Sequence, residues 1–277
     1  MLGAIAGDMI GSRFEAFNHK SKDFRLFHWS SRFTDDTVLT VAVADALVHR
    51  RDYASSYRHY FRRYPLAGFG KSFTLWAAVP GSRPYNSWGN GAAMRVSPVG
   101  WVHDHLDAVL AEAQRSAEVT HNHPEGIRGA QATAAAVFLA RQGASKTEIK
   151  TFVEARFGYD LNPTLDQIRP HYRFDVSCQG SVPQAILAFL ESTDFEDAIR
   201  NAVSLGGDSD TLACIAGGIA EAYYGGVPEA ITDHVWRRLD APLRTMVTTF
   251  RQHGFAPPGS IRPEEVRDDP GSRPSPS

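Results

Sequence analysis

At 277 residues, 43% of them hydrophobic, the chain has the composition of an ordinary globular protein and the length for one large core or two small ones. Its 29 Lys+Arg against 31 Asp+Glu, a formal charge of -2, exclude a basic surplus for non-specific nucleic-acid binding and an acidic tail for a basic partner. Cys178 and Cys214 lack the spacing of a zinc site and read as free, buried thiols, and no apolar run reaches the ~18 to 20 residues of a membrane span.

Residues 2–12 put Leu2, Ile5, Ala6, Met9 and Ile10 on one helical face. Gly3, Gly7 and Gly11 recur every fourth position, and each costs roughly 1 kcal/mol against Ala in a helix. Close backbone packing is the compensation, so this first helix is expected to be central. Glu15 follows, either a surface acid or a site acid held at the helix end. Residues 19–31 carry Phe24, Phe27, His28 and Trp29, too many aromatics for a linker, and read as a binding loop. Thr34-Asp35-Asp36-Thr37 then opens an apolar helix over 38–48. Helices over 53–64 and 72–79 are stopped by Pro65 and Pro80.

Residues 85–95 form a glycine-bounded loop, Gly89-Asn90-Gly91-Ala92-Ala93-Met94-Arg95 at its end, that exposes backbone amides before a helix. It is open to two readings, a phosphate cradle and a tight Asn-Gly turn. An amphipathic helix over 105–118 delivers Thr120-His121-Asn122-His123-Pro124-Glu125-Gly126, whose histidines suit polar contact to a ligand better than one metal. Buried small residues over 130–139 and a surface pattern over 146–157 predict two more helices. Residues 160–175 read as irregular. A helix over 182–190 is expected to start from Ser181 as N-cap with Pro183 in its first turn, followed by one over 195–204.

Gly206-Gly207-Asp208-Ser209-Asp210-Thr211 comes next and opens a small-residue helix over 212–222 that ends at Gly225-Gly226. Helices over 228–239 and 241–253 complete the chain before a Pro, Ser and charge-rich tail. Asp208 and Asp210 are open to a plain reading as caps. Two helix starts with two carboxylates each, however, hold more negative charge than capping uses, and a divalent cation would relieve it. With no alternating strand pattern, the expected fold is all-α, one domain over 1–256, with 257–277 as an unstructured tail.

Taken together, Gly3-Ala4-Ile5-Ala6-Gly7-Asp8 with Glu15, Phe33-Thr34-Asp35-Asp36-Thr37, the Gly89 to Arg95 and Thr120 to Gly126 segments, Gln179-Gly180-Ser181-Val182-Pro183 and the Gly206 hexapeptide make the sequence resemble the ADP-ribosylglycohydrolase family. The likeness runs through nearly the whole chain up to the tail and is weaker around Trp29. It implies a compact all-α fold around two divalent cations, Mg2+ or Mn2+. By resemblance Thr34, Asp35 and Asp36 ligate on one side and Asp208, Asp210 and Thr211 on the other, all hard oxygen donors. Glu15 resembles the family's substrate-contacting acid. Gly89, Asn90, Gly91, Ala92 and Met94 match the diphosphate loop, and His121 an ADP-ribose contact. The implied reaction is hydrolysis at C1 of the distal ribose of an ADP-ribosylated protein or small ADP-ribose conjugate, with Glu15, Asp35 and Asp208 catalytic. An ADP-ribose-binding module without turnover and a magnesium-dependent phosphohydrolase are the alternatives. A cytoplasmic monomer with no membrane partner is expected, since Met1 to Asp8 lacks the cationic start of a signal peptide.

Overall fold

The computed structural model describes residues 1–255 and Pro257; the expected tail, 257–277, lies outside the described residues apart from that proline. The described residues form α1 (Leu2–Gly11), α2 (Asp35–His49), α3 (Tyr53–Arg63), α4 (Lys71–Ala78), α5 (Gly91–Met94), α6 (Val99–Val102), α7 (Leu106–Glu118), α8 (Pro124–Arg141), α9 (Lys146–Phe157), α10 (Leu165–Ile168), α11 (Cys178–Leu190), α12 (Phe195–Ser204), α13 (Ser209–Tyr223), α14 (Glu229–Arg238) and α15 (Ala241–Gln252). The extended pairing among them is an isolated bridge between Gly89 and Ser177. The expected all-α, single-domain fold is the fold observed.

Every residue of α1 is buried, and α13 is buried from Ser209 to Ala222. The two helices lie against each other through their glycines. A Cβ on Gly7 would stand 2.0 Å from the Ala213 carbonyl oxygen, one on Gly3 2.2 Å from that of Gly217, and one on Gly217 2.3 Å from that of Gly3. Real Cβ atoms do not approach so closely, so the four-residue repeat is what lets the backbones touch. The Gly3 N–H also donates to Glu221 Oε2 at 2.8 Å, which fixes the register of the pair. Helices α8, α11 and α12 cover α13, while α2 and α14 flank α1.

Helices α2 and α13 begin three residues before the expected 38 and 212, at Asp35 and Ser209, and two further starts differ more. Helix α8 begins at Pro124, six residues before 130, because His123 Nδ1 accepts the Glu125 N–H at 3.1 Å and proline fits a first turn where no N–H is needed. Helix α11 begins at Cys178, because Ser177 and not Ser181 is its N-cap, accepting the Gly180 N–H at 3.0 Å. Pro183 therefore lies inside the helix, past the first turn, and leaves the Gln179 carbonyl without its N–H partner. Helices over 146–157 and 195–204 occur as read, and Gly225 and Gly226, at φ 76 and 143, end α13. Both cysteines are free and buried. Among the described residues no helix is long and apolar enough to cross a membrane.

Candidate active site

The start of α2 is built by a residue of α1. Asp8 is fully buried; its Oδ2 accepts the N–H groups of Thr34 at 2.9 Å and Thr37 at 3.0 Å together with the Thr37 hydroxyl, and its Oδ1 accepts the Thr34 hydroxyl at 2.7 Å. Thr34 in turn caps α2 by accepting the Asp36 N–H at 3.2 Å. The free donors of the helix start are thus met from Asp8, Thr34 and the Ala67 carbonyl, which accepts the Asp35 N–H at 2.9 Å. Neither Asp35 nor Asp36 is needed as a cap. Asp36 is 3% exposed, and its Oδ2 has no donor among the described residues. In the sequence Asp8 is only the last residue of the Gly3 to Asp8 segment, because the partners that give it this role, Thr34 and Thr37, lie 26 and 29 positions away.

The second acidic turn is held by the segment after Glu15. Gly206 and Gly207 take φ of 71 and 69, and a Cβ on Gly206 would stand 2.2 Å from Asn18 Oδ1, so a side chain there is excluded twice. Asn18 Oδ1 accepts the Gly207 N–H at 3.2 Å, and Lys20 Nζ donates to the carbonyls of Leu205 and, at 2.8 Å, Tyr172. Asp208 stands at the N-cap position of α13 but its side chain makes no capping bond. It accepts from Asn90 Nδ2 at 2.7 Å instead, so the plain capping reading fails for it. Asp210 Oδ1 accepts the Thr211 N–H at 3.0 Å. Glu15, exposed, closes the group: its carboxylate and those of Asp208 and Asp210 offer oxygens all within 4.8 Å of one another.

Electrostatics join the two turns. Burial, and then the charges of Asp8, Asp208 and Glu15, push Asp35 up to about 8. Asp36 and Asp210 are held well above the usual carboxylate range, first by burial and then by neighbouring acids that include one another's turn. Burial raises Asp208, Asp8 and Glu15 as well. Among the described residues none of Asp35, Asp36, Asp208 and Asp210 forms an ion pair with a Lys or Arg. Buried like charges without a cation are unfavourable. The donor set is oxygen throughout, and Asp36 Oδ2 is an unused ligand atom; both fit a hard divalent cation.

The glycine-bounded loop lies on the other side of Asn90. Its path is fixed by Asn86 at φ 53, by the Asn86 N–H donating to Asn122 Oδ1 at 2.8 Å, and by backbone bonds from Asn90 to Val176 at 2.7 Å and from Cys178 to Trp88 at 2.9 Å. His121 is buried beneath it: a Cβ on Gly91 would stand 3.1 Å from His121 Nε2, and one on Gly89 3.6 Å. Burial, then the charge of Arg95, holds the His121 imidazole well below its usual range, so the ring is neutral. Ala92 and Met94 turn their side chains into the core, with Met94 Sδ 4.0 Å from Thr211 Oγ1. The histidine pair divides, since His123 is a cap and only His121 faces the loop. Of the aromatic loop, Phe27 stacks on His234 at 4.6 Å and Phe24 packs on Phe14, whereas Trp29 is 87% exposed.

Fold and site together define a helical protein with an oxygen-only acidic centre able to hold a metal ion beside a glycine-bounded loop. The sequence profile of the ADP-ribosylglycohydrolase family matches residues 1–252, and the chain belongs to that family. It is 28% identical to mouse ADP-ribosylhydrolase ARH3, with 83% of this chain and 84% of that protein covered, and 27% identical to ADP-ribosylarginine hydrolase Tri1 of Pseudomonas putida (strain GB-1), over 81% and 69%. A solved ADP-ribosylglycohydrolase-related protein complex shares its fold, with a TM-score of 0.66 at 24% identity over 91% of this chain and 96% of that one. The chain is accordingly a glycosidic-bond hydrolase that removes ADP-ribose.

Proposed function

We propose that the protein reverses mono-ADP-ribosylation, cleaving the bond between C1 of the distal ribose and the acceptor of an ADP-ribosylated protein or small ADP-ribose conjugate in a metal-dependent reaction. The observation that carries this reading is the group of Glu15, Asp208 and Asp210 carboxylates, whose oxygens lie within 4.8 Å of one another, beside a buried Asp36 Oδ2 without a donor among the described residues and a loop whose Asn90 donates to Asp208. Thr34, Asp35 and Asp36 on one side and Asp208, Asp210 and Thr211 on the other would hold two divalent cations, magnesium or manganese. Such ions supply, when bound, Lewis acidity toward ribose hydroxyls and water.

The chain's own residues have separable tasks. The backbone N–H groups of Gly91 and Ala92 hold the diphosphate, those of Gly89, Asn90, Ala93 and Met94 being donated to Ser87 Oγ, the Val176 carbonyl and the Asn90 carbonyl, and His121 contacts ADP-ribose from below. Asn90 links that loop to the acidic centre. Departure of the acceptor develops oxocarbenium character on the distal ribose. Water adds to C1 as the bond to the acceptor breaks; Asp35 or Asp208 takes the water's proton and returns it to the departing acceptor, over which Glu15 closes. The test incubates purified protein with arginine-ADP-ribosylated and serine-ADP-ribosylated substrates, with and without magnesium or manganese, and quantifies products. Metal-dependent release of free ADP-ribose is expected. Release of AMP or inorganic phosphate would instead make the protein a phosphohydrolase, and ADP-ribose binding without any product would make it a binding module.

A further inference from the structure

Arg95 is the largest fully buried side chain of the fold, and among the described residues it forms no ion pair with a carboxylate. Its guanidinium lies over the Tyr57 ring at 4.3 Å. Nη2 donates to the Ser116 carbonyl at 3.2 Å and to Thr120 Oγ1 at 2.8 Å, while Nε and Nη1 have no acceptor among the described residues. Arginine, last in the glycine-bounded segment, is therefore turned away from the loop and spends its one short side-chain bond on a threonine.

That bond has a direction. A guanidinium cannot accept, so Thr120 Oγ1 accepts from it and retains a single proton of its own to donate. Two acceptors compete for that proton: His121 Nδ1 at 2.8 Å and the Ala117 carbonyl at 3.5 Å. The Ala117 carbonyl already accepts the backbone N–H groups of Thr120 at 3.1 Å and His121 at 2.7 Å, so both of its lone pairs are taken and the hydroxyl proton is left to His121. His121 Nδ1 then accepts, and the proton of a neutral imidazole must sit on Nε2, the atom nearest Gly91. Protonating Nδ1 as well would turn an N–H against the threonine O–H.

We infer that Arg95 and Thr120 are positioning residues that lock His121 in its neutral Nε2–H form, so that His121 gives ADP-ribose a hydrogen bond at a diphosphate or ribose oxygen and takes no part in proton transfer. The identity of the ligand rests on the proposed function; the tautomer does not. The full chain carrying 15N-labelled histidine, free and with ADP-ribose, is examined by two-bond 1H–15N correlation. His121 is expected as pure Nε2–H, unchanged in Thr120→Ser. In the near-isosteric Thr120→Val, Nδ1 loses its donor, the tautomers mix, and the Kd for ADP-ribose rises about tenfold, the effect of one misdirected hydrogen bond. Arg95→Met is expected to move the proton toward Nδ1 and Arg95→Lys to restore it in part. A wild-type His121 protonated on Nδ1 overturns the inference, as does a Thr120→Val protein with pure Nε2–H and unchanged affinity. The two readings fail separately: an Nε2–H imidazole in a protein that neither binds ADP-ribose nor releases it upholds the lock and removes the function, whereas Nδ1–H in an active hydrolase does the reverse.

Discussion

Asp8 and Asp208 show how one carboxylate can be spent on the N–H groups of a helix start while another makes no capping bond. Asp8 is surrounded by four donors from Thr34 and Thr37, so Asp8→Ala leaves two N–H groups and two hydroxyls without an acceptor and is expected to cost about 2 to 4 kcal/mol in urea denaturation. Asp8→Asn is the more informative change. An asparagine oxygen at the Oδ2 position keeps both N–H bonds, while its amide donates to the Thr34 hydroxyl, which already accepts from Asp36 N–H at 3.2 Å. Both lone pairs of Thr34 Oγ1 are then occupied. Stability should be retained to within about 1.5 kcal/mol while magnesium affinity, measured by calorimetry, falls about tenfold or more. Asp208→Asn, by contrast, touches no cap, since Asp208 makes no capping bond; it should leave the fold intact and abolish ADP-ribose release. Unimpaired turnover of that variant in saturating magnesium would remove Asp208 from the site. Asp35, Asp36, Asp208 and Asp210 were legible in the sequence because two carboxylates per turn exceed what a helix start uses. Asp8 was not, because its meaning depends on Thr34, 26 positions away.

At the scale of helices, the contact of α1 with α13 sets where both acidic turns sit. Gly11 illustrates the link, since a Cβ there would stand 2.5 Å from Asp210 Cα. Gly7→Ala gains about 1 kcal/mol of helix propensity but drives a methyl to 2.0 Å from the Ala213 carbonyl, so the helices must part. A net loss of about 3 kcal/mol is expected, accompanied by weaker magnesium binding as the start of α13 moves. The control is Gly158→Ala at the end of α9: φ is 70 and no atom lies within 4 Å, so the cost is backbone strain alone, about 1 to 2 kcal/mol, with magnesium binding unchanged. Equal effects of the two substitutions on magnesium would disconnect the helix contact from the site. That α1 packs closely was readable from the spacing of Gly3, Gly7 and Gly11, which no isolated helix would favour; that its partner is α13 was not. The starts of α8 and α11 were not, because histidine is an unusual N-cap and Ser177 and Ser181 stand one turn apart with equal local claims. Ser181 is instead taken by bonds outside the cap, to the Asp175 carbonyl six residues back at 2.8 Å and from the distant Asn90 at 3.1 Å.

For the whole molecule, the gathered acids make stability depend on pH and metal together. Asp35 is raised to about 8, and Asp36, Asp208 and Asp210 are raised in the same sense, burial being the first cause for each. Folded pKa values above the unfolded one mean that the folded state holds protons that the unfolded chain has released. Stability from these groups is therefore fully present below the unfolded carboxylate value of about 4 and is lost as pH rises toward about 8. A divalent cation competes with those protons for the same oxygens, so its stabilising effect must grow over the same interval. In chelator, the melting temperature is expected to fall from about pH 7 to about pH 8, above the range where surface carboxylates titrate and where histidines with lowered folded values, His19, His121 and His234, add stability as pH rises. In excess magnesium the fall should shrink or vanish, and the gap between the two curves should be wider at the alkaline end. Asp36→Asn lowers the number of competing charges and should flatten the chelator curve while narrowing the gap. A melting temperature in chelator that is level across this range, or a magnesium effect independent of pH, would mean that the two acidic turns do not share one charge and would separate the halves of the proposed centre.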